Sequence, residues 1–192
     1  PAIQVGLLVL VVTAPAFIFF SQKGPGAMHA PWLISLAAGL VVGGLSQVSR
    51  LCTVGGFRDL FLFKKSVLIF GYLAVLVGVF VVNISFGNFH LGFENQPIAH
   101  TDGLWNFLGM ALAGFCSVLL GGCPLRQLIM TGEGNSDSAV TVLGLAAGAA
   151  FAHNFGLAAS GAGPTLNGQI AVGIGFVVAL IIAILNTKRA NA

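Results

Sequence analysis

The stretch LLGGCPLRQLI, residues 119–129, decides the fold that this sequence predicts. It closes a long apolar run with a Gly-Gly pair, and a cysteine, a proline and an arginine follow. Glycine commonly ends a helix and proline suits the first position of the next, so we expect a helix break with Cys123 at the N-cap of a new helix. The free N–H groups and the dipole of that helix would favour a thiolate and attract an anion.

The composition of the whole chain is that of an integral membrane protein. Apolar residues make up 57% and charged residues 7% of the sequence, and the mean hydropathy is +0.99. A soluble domain carries charge on about a quarter of its residues. The net charge of +3 is too small and too scattered to indicate nucleic-acid binding.

Six candidate spans account for most of the chain: residues 3–20, 32–48, 66–86, 104–120, 139–159 and 169–185. A cysteine-bearing segment separates the second span from the third, and another separates the fourth from the fifth. Both segments are too apolar for open loops and too short to cross twice. We therefore predict an all-α, polytopic membrane protein with about six transmembrane helices and two re-entrant half-helices that carry the cysteines.

The distribution of basic residues predicts the orientation of the chain. With both termini in the cytoplasm, that side collects Arg50, Arg58, Lys64, Lys65, Arg126, Lys188 and Arg189, whereas Lys23 faces outward. His153 would then lie near the outer face of the fifth span. The expected location is a prokaryotic inner membrane.

An internal repeat relates the two cysteine segments. A shift of 71 positions lays Cys52 over Cys123 and also matches Gly43 with Gly114 and Ser46 with Ser117. We expect one repeat unit at about residues 32–86 and a second at about 103–159, flanked by spans 3–20 and 169–185 in a single transmembrane domain. Repeated units with broken helices are a common transporter design, in which the substrate binds where the breaks meet.

Simpler structural roles compete for the same residues. Arginines at the ends of spans often anchor topology, and a cysteine in a membrane helix is usually a small packing residue, above all the mid-span Cys116. Glycines at 39, 43, 144 and 148 have the spacing of close-packing helix surfaces. The histidines match no metal-ligand spacing, so neither a metal nor a cofactor is predicted.

Four segments together resemble the YeeE/YedE family of sulfur-compound transporters, in its selenium-associated branch: GLSQVSRLCTVGGFRDL, HTDGLWNFLGM, GGCPLRQLI and GEGNSDSAVTVLGLAAGAAFAHNFGLA. The resemblance covers almost the whole chain. It implies an hourglass-shaped permease in which cysteines at a central constriction pass a sulfur oxyanion such as thiosulfate through transient S–H contacts. Here the matching residues are Cys52 and Cys123, with Arg58 and Arg126 nearby. The chain resembles only the C-terminal part of a longer protein, which implies a partner half or an identical copy.

The sequence thus predicts a membrane transporter, rather than an enzyme, for a small sulfur- or selenium-containing compound. Its predicted partners are the lipid bilayer and a second half. The predicted pathway residues are Cys52, Cys123, Arg58, Arg126, Gly122, Pro124 and His153. Two alternatives stay open, a membrane thiol oxidoreductase or sulfurtransferase and a membrane subunit that does not itself transport.

Overall fold

The computed structural model describes residues 30–92 and 100–190 and, before them, only residues 5, 6, 9 and 13. Within these residues the chain is all-helical, as predicted. The helices are α1 (Trp32–Ser49), α2 (Thr53–Phe63), α3 (Val67–Ser85), α4 (Gly103–Leu119), α5 (Pro124–Gly132), α6 (Ser136–Asn154) and α7 (Leu166–Ala190). The predicted first span, residues 3–20, lies outside the described residues except at those isolated positions.

Burial in this chain is the reverse of burial in a soluble protein. Large apolar side chains cover the outer surfaces of the helices, and none of the large side chains described is completely buried. The buried residues described are small or polar: Ser46, Cys52, Gly55, Gly56, Ser117, Gly122, Cys123, Gln127, Thr131, Ser138 and Ala179. Helices in lipid associate through such small and polar residues, so this pattern is that of a multi-pass membrane protein.

Four described stretches are long and apolar enough to cross a membrane: Trp32–Phe63, Val67–Ser85, Gly103–Gly132 and Leu166–Thr187. Two of them contain a helix break, at 50–52 and at 120–123. The helices after the breaks, α2 with 11 residues and α5 with 9, are too short to cross about 30 Å of hydrocarbon at 1.5 Å per residue. The six spans and the re-entrant course of α2 and α5 stay predictions.

The first six helices fall into two triplets of similar size. Helices α1, α2 and α3 have 18, 11 and 19 residues, and α4, α5 and α6 have 17, 9 and 19. Within the triplets α2 packs on α3 and α5 on α6; between them α1 contacts α5 and α2 contacts α4, while α7 packs along α4. In both of the contacts between the triplets, the first helix of one triplet meets the second helix of the other. A pseudo-twofold relation between the triplets would produce this pattern, which supports the predicted repeat.

The two breaks are built by the same turn. Two residues past α1 and three past α4, an N–H donates back to a carbonyl five positions earlier: Leu51 to Ser46 at 3.2 Å and Gly122 to Ser117 at 3.1 Å. The intervening residues are left-handed, Arg50 with a φ of 51° and Gly121 with a φ of 76°. This Schellman turn gives partners to carbonyls that would otherwise face hydrocarbon or protein unpaired.

The bounds of two helices differ from the predicted ones. The predicted span 139–159 is α6, which begins earlier because the Asn135 side chain accepts from the Ser138 N–H at 2.9 Å. It also ends earlier, at another Schellman turn, in which Gly156 is left-handed. The predicted span 169–185 is α7, which begins earlier because the Thr165 hydroxyl accepts from the Gly168 N–H at 3.0 Å.

The prediction that helices pack closely at glycines 39, 43, 144 and 148 is wrong within the described chain. A Cβ atom added at any of these positions would meet nothing within 4 Å. The tight approaches lie elsewhere, where a Cβ on Gly56 would stand 3.4 Å from the α3 backbone and one on Gly168 would stand 2.5 Å from the Leu157 carbonyl oxygen.

The left-handed conformation of Gly121 leads to a prediction about the stability of the protein. Gly121→Ala forces an L-residue into that conformation at a cost of about 1–2 kcal/mol, so the midpoint of thermal unfolding in detergent should fall. Gly114→Ala is the matched control, because its added methyl group meets open space in α4, the helix that precedes the turn. Equal midpoints for the two variants would contradict the turn.

Candidate functional site

Cys52 occupies the N-cap of α2, at the first break. Its backbone is extended, and its Sγ atom accepts a hydrogen bond from the Gly55 N–H at 3.3 Å. The residue is 8% exposed, so the thiol is held inside the protein at the amino end of a helix. The break itself creates this position, because the N-cap is the first residue after the Schellman turn.

Cys123 occupies the equivalent N-cap at the second break, as predicted, with Pro124 at the first position of α5. It is 5% exposed. The N–H of Arg126 lies near this thiol without forming a cap hydrogen bond like the one that Gly55 gives Cys52.

The two thiols lie together. The Cys123 thiol lies close to the Cys52 thiol and to the N–H and hydroxyl of Thr53, the first residue of α2. Both cysteines are free rather than joined in a disulfide. Each triplet thus contributes one sulfur atom to a shared point where the amino ends of two short helices meet.

This thiol pair, Cys52 with Cys123, combines two chemical properties. The amino ends of α2 and α5 present N–H groups and positive dipole ends, which favour an anion or a thiolate. The sulfur atoms are soft and polarizable, which favours contact with another sulfur over contact with hard oxygen. Such a point suits an anion that carries a terminal sulfur atom.

Gly122 and Pro124 shape the second break. The Gly122 N–H closes the Schellman turn, and a Cβ atom at this position would stand 3.4 Å from Cγ of Arg126. Pro124 lacks the N–H that would be unpaired at the first helical position. These two residues therefore set the backbone of the site, and their side chains contribute no polar group.

Arg126 lies one turn into α5, close to the thiol pair. Its Nη1 atom is 3.5 Å from Oε1 of Glu133, the C-cap residue of α5. The side chains are 22% and 36% exposed. The long separation leaves the guanidinium able to interact with another anion.

Arg58 is less closely associated with the thiols. Its guanidinium binds its neighbour Asp59 through Nε at 3.0 Å and Nη2 at 2.8 Å, and its side chain is 56% exposed. It lines a groove of about 380 Å³ between α2 and α4, with Gly114 and Gly121 on the other wall. A corresponding groove of about 640 Å³ between α1 and α5 includes Gly43 and Glu133.

His153 is not brought to the thiols. It lies in the last turn of α6 with an exposed side chain, roughly 26 Å along that helix from Ser136 at 1.5 Å per residue. The structure thus brings together Cys52, Cys123, Gly122, Pro124 and Arg126, and leaves His153 at the other end.

Sequence reasoning missed Thr53 and Gln127. Thr53 approaches Cys123 from the opposite triplet, a relation that needs the tertiary structure. Gln127 is 3% exposed, and its Nε2 atom donates to the Leu120 carbonyl at 2.8 Å, which ties the start of α5 to the end of α4. A lone amide inside an apolar stretch was the available signal for Gln127.

Comparison with known proteins agrees with this geometry. Residues 48–189 match the family model described as sulphur transport. The thiosulfate transporter TsuA of Escherichia coli (strain K12) is 29% identical over 111 residues, which are 56% of this chain and 30% of that protein. The chain therefore spans under a third of that relative, and no solved structure matches it significantly. With most of its length covered by the family model, the chain belongs to the sulphur transport family, the YeeE/YedE family.

Proposed function

We propose that this chain forms part of a membrane transporter for a small sulfur-containing anion, with thiosulfate the first candidate. The observation that carries the proposal is the meeting of two thiols at the amino ends of α2 and α5. The family and the thiosulfate transporter among its relatives support the substrate class. A selenium compound, with a similarly soft and polarizable atom, is a second substrate to test.

The route that we propose passes through the thiol pair. The terminal sulfur of the substrate contacts one S–H group while its oxygens accept from helix N–H groups, and the neighbouring thiol receives it next. Arg126 offsets the negative charge on one side, and Arg58 does so at the groove between α2 and α4. Contacts of this kind need no covalent bond, so the chain acts as a transporter rather than an enzyme.

The proposed setting is the inner membrane of a prokaryote, with six spans, re-entrant α2 and α5, and both termini in the cytoplasm. The basic residues at the α1–α2 and α2–α3 junctions support this orientation. A second half or an identical copy would complete the pathway, since the chain covers 30% of its relative. If the reconstituted chain transports nothing by itself, a co-purifying partner that restores flux would identify that half.

Serine substitutions separate the sulfur chemistry from the structural role of the two cysteines. Serine is a good N-cap residue, so Cys52→Ser and Cys123→Ser should fold, yet each should lower uptake of labelled thiosulfate at least about tenfold because the soft atom is gone. Uptake is measured in cells or proteoliposomes at matched protein levels. Cys116→Ser is the control and should transport normally, and undiminished uptake in both test variants would remove the thiol mechanism.

Arg126 and Arg58 should differ in their effect on substrate affinity. Arg126→Gln should raise the KM for thiosulfate several-fold, because the guanidinium is loosely paired and belongs to a residue whose backbone lies next to the Cys123 thiol. Arg58→Gln should raise it less, because Asp59 already holds that charge at 2.8 Å. The initial rates of uptake over a concentration series give both KM values, and the opposite order would contradict this assignment.

The alternative activity, a thiol oxidoreductase, is favoured by the same proximity of Cys52 and Cys123. Acid quenching during uptake, followed by alkylation and peptide mass analysis, distinguishes the two functions. Transport by transient contact leaves both thiols alkylated at every time point. A Cys52–Cys123 disulfide that appears and disappears with turnover would favour the enzyme.

A further inference from the structure

A separate cavity with four polar or aromatic residues on its walls lies at the opposite end of α4 from the thiol pair. It has a volume of about 240 Å³ and is lined by the first turns of α4 and α7 and by residues 157–164 between α6 and α7. The polar or aromatic residues on its walls are His100, Trp105, Asn106 and Gln169. One helix length, about 25 Å at 1.5 Å per residue, separates it from Cys123, so it is a distinct site.

The walls of this cavity are fixed by hydrogen bonds. The Thr165 hydroxyl donates to the Gly156 carbonyl at 2.7 Å, and Asn167 Nδ2 donates to the Phe155 carbonyl at 3.3 Å. Gly168 lies so close to the Leu157 carbonyl that it has no room for a side chain. The start of α7 and the end of α6 are therefore held together, and the cavity between them is a built feature.

One wall of the cavity contains a polar atom that lacks a partner. Nδ1 of His100 is buried from solvent, and within the described part of the chain it has no hydrogen-bond partner. A buried polar atom left in this state costs about 1–3 kcal/mol, which favours a turn of the imidazole that brings Nδ1 to the cavity and to a bound molecule. The Asn106 amide, which donates to the His100 carbonyl at 3.2 Å, holds this residue against α4.

The residues that surround the cavity favour an acceptor ligand. The Trp105 indole can only donate, and the His100 imidazole and the Gln169 and Asn106 amides can each offer N–H groups. The nearest acid in sequence is Asp102. Its carboxylate caps α4 by accepting from the Trp105 N–H at 3.3 Å, and it is not among the residues that line the cavity.

We propose that this cavity binds a small tetrahedral oxyanion before it reaches the thiol pair. The proposal rests on the proposed function, because it assigns the same class of substrate to a second site on one route. A tetrahedral oxyanion presents acceptors in every direction and so can pair with donors on several walls at once. Since no thiol lines the cavity, it should bind sulfate as well as thiosulfate, and selection for sulfur falls to the thiol pair.

The two tryptophans of the chain provide a direct test. Trp32→Phe leaves Trp105 as the sole tryptophan, so emission from the purified full chain in detergent reports on the cavity. Titration with sodium thiosulfate or sodium sulfate should change this emission saturably, whereas sodium chloride at equal ionic strength should not. A change that does not saturate, or one that chloride reproduces, would overturn the proposal.

Two substitutions on different elements assign the response to the cavity. His100→Ala and Gln169→Leu should each raise the apparent Kd for thiosulfate about tenfold, because each removes a hydrogen-bonding group from the cavity wall. His90→Ala is the matched control, an exposed histidine outside the cavity, and should leave the Kd unchanged. Unchanged affinity in both cavity variants would overturn the proposal. If one variant misfolds, the other still decides the test, because the two substituted residues lie on separate elements.

The same titration separates this site from the proposed function. In Cys52→Ser and Cys123→Ser proteins the Trp105 response should persist, because the two sites lie about one helix length apart. Loss of uptake with a retained response supports both sites. Normal uptake and a retained Trp105 response in these serine variants would contradict the thiol pathway and leave the cavity proposal standing. Absence of the Trp105 response in the protein with both cysteines would contradict the cavity proposal and leave the thiol pathway standing.

Discussion

A helix interrupted at membrane depth exposes backbone N–H and C=O groups that have no water to bind, and each unpaired group costs several kcal/mol. The chain meets this constraint twice in the same way. A Schellman turn gives partners to the last carbonyls of α1 and α4, and a cysteine then caps the next helix. The thiols consequently lie where two helix amino ends are open, and this is the point at which we propose that the anion binds.

The two breaks differ in one respect that bears on function. The third residue of α2 is Gly55, whose missing side chain leaves room for the Cys52 sulfur, whereas the third residue of α5 is Arg126. The backbone geometry is therefore shared, but at this helical position a positive charge occurs in α5 only. A nearly symmetric fold thus surrounds the two sulfurs asymmetrically, at the point where we propose that the anion binds.

The local features of this site were predictable from sequence. A Gly-Gly pair, a cysteine and a proline have strong conformational preferences, so the break and the N-cap position of Cys123 follow from residues 121–124 alone. The left-handed conformation of Arg50 could not be predicted in this way, since only its correspondence with Gly121 reveals the turn.

Relations between the triplets were beyond the reach of sequence patterns. The approach of Thr53 to Cys123 depends on how α2 meets α4 and α1 meets α5, and the glycine spacing suggested packing where the structure has open grooves. The start of α6 was misplaced because hydropathy rises after the polar cap at Asn135, several residues into the helix. Small polar residues form these contacts, and such residues contribute little to a hydropathy profile.

The most direct test of the central claim is whether the two sulfur atoms face a passage that the substrate uses. An anionic, membrane-impermeant methanethiosulfonate reagent, applied to membranes that contain the parent chain, should modify Cys52 and Cys123, and thiosulfate should slow the reaction in a saturable way. Modification of neither cysteine, with both reacting only with a lipid-soluble thiol reagent, would mean that the sulfurs lie in a sealed interior or against lipid and would contradict the account.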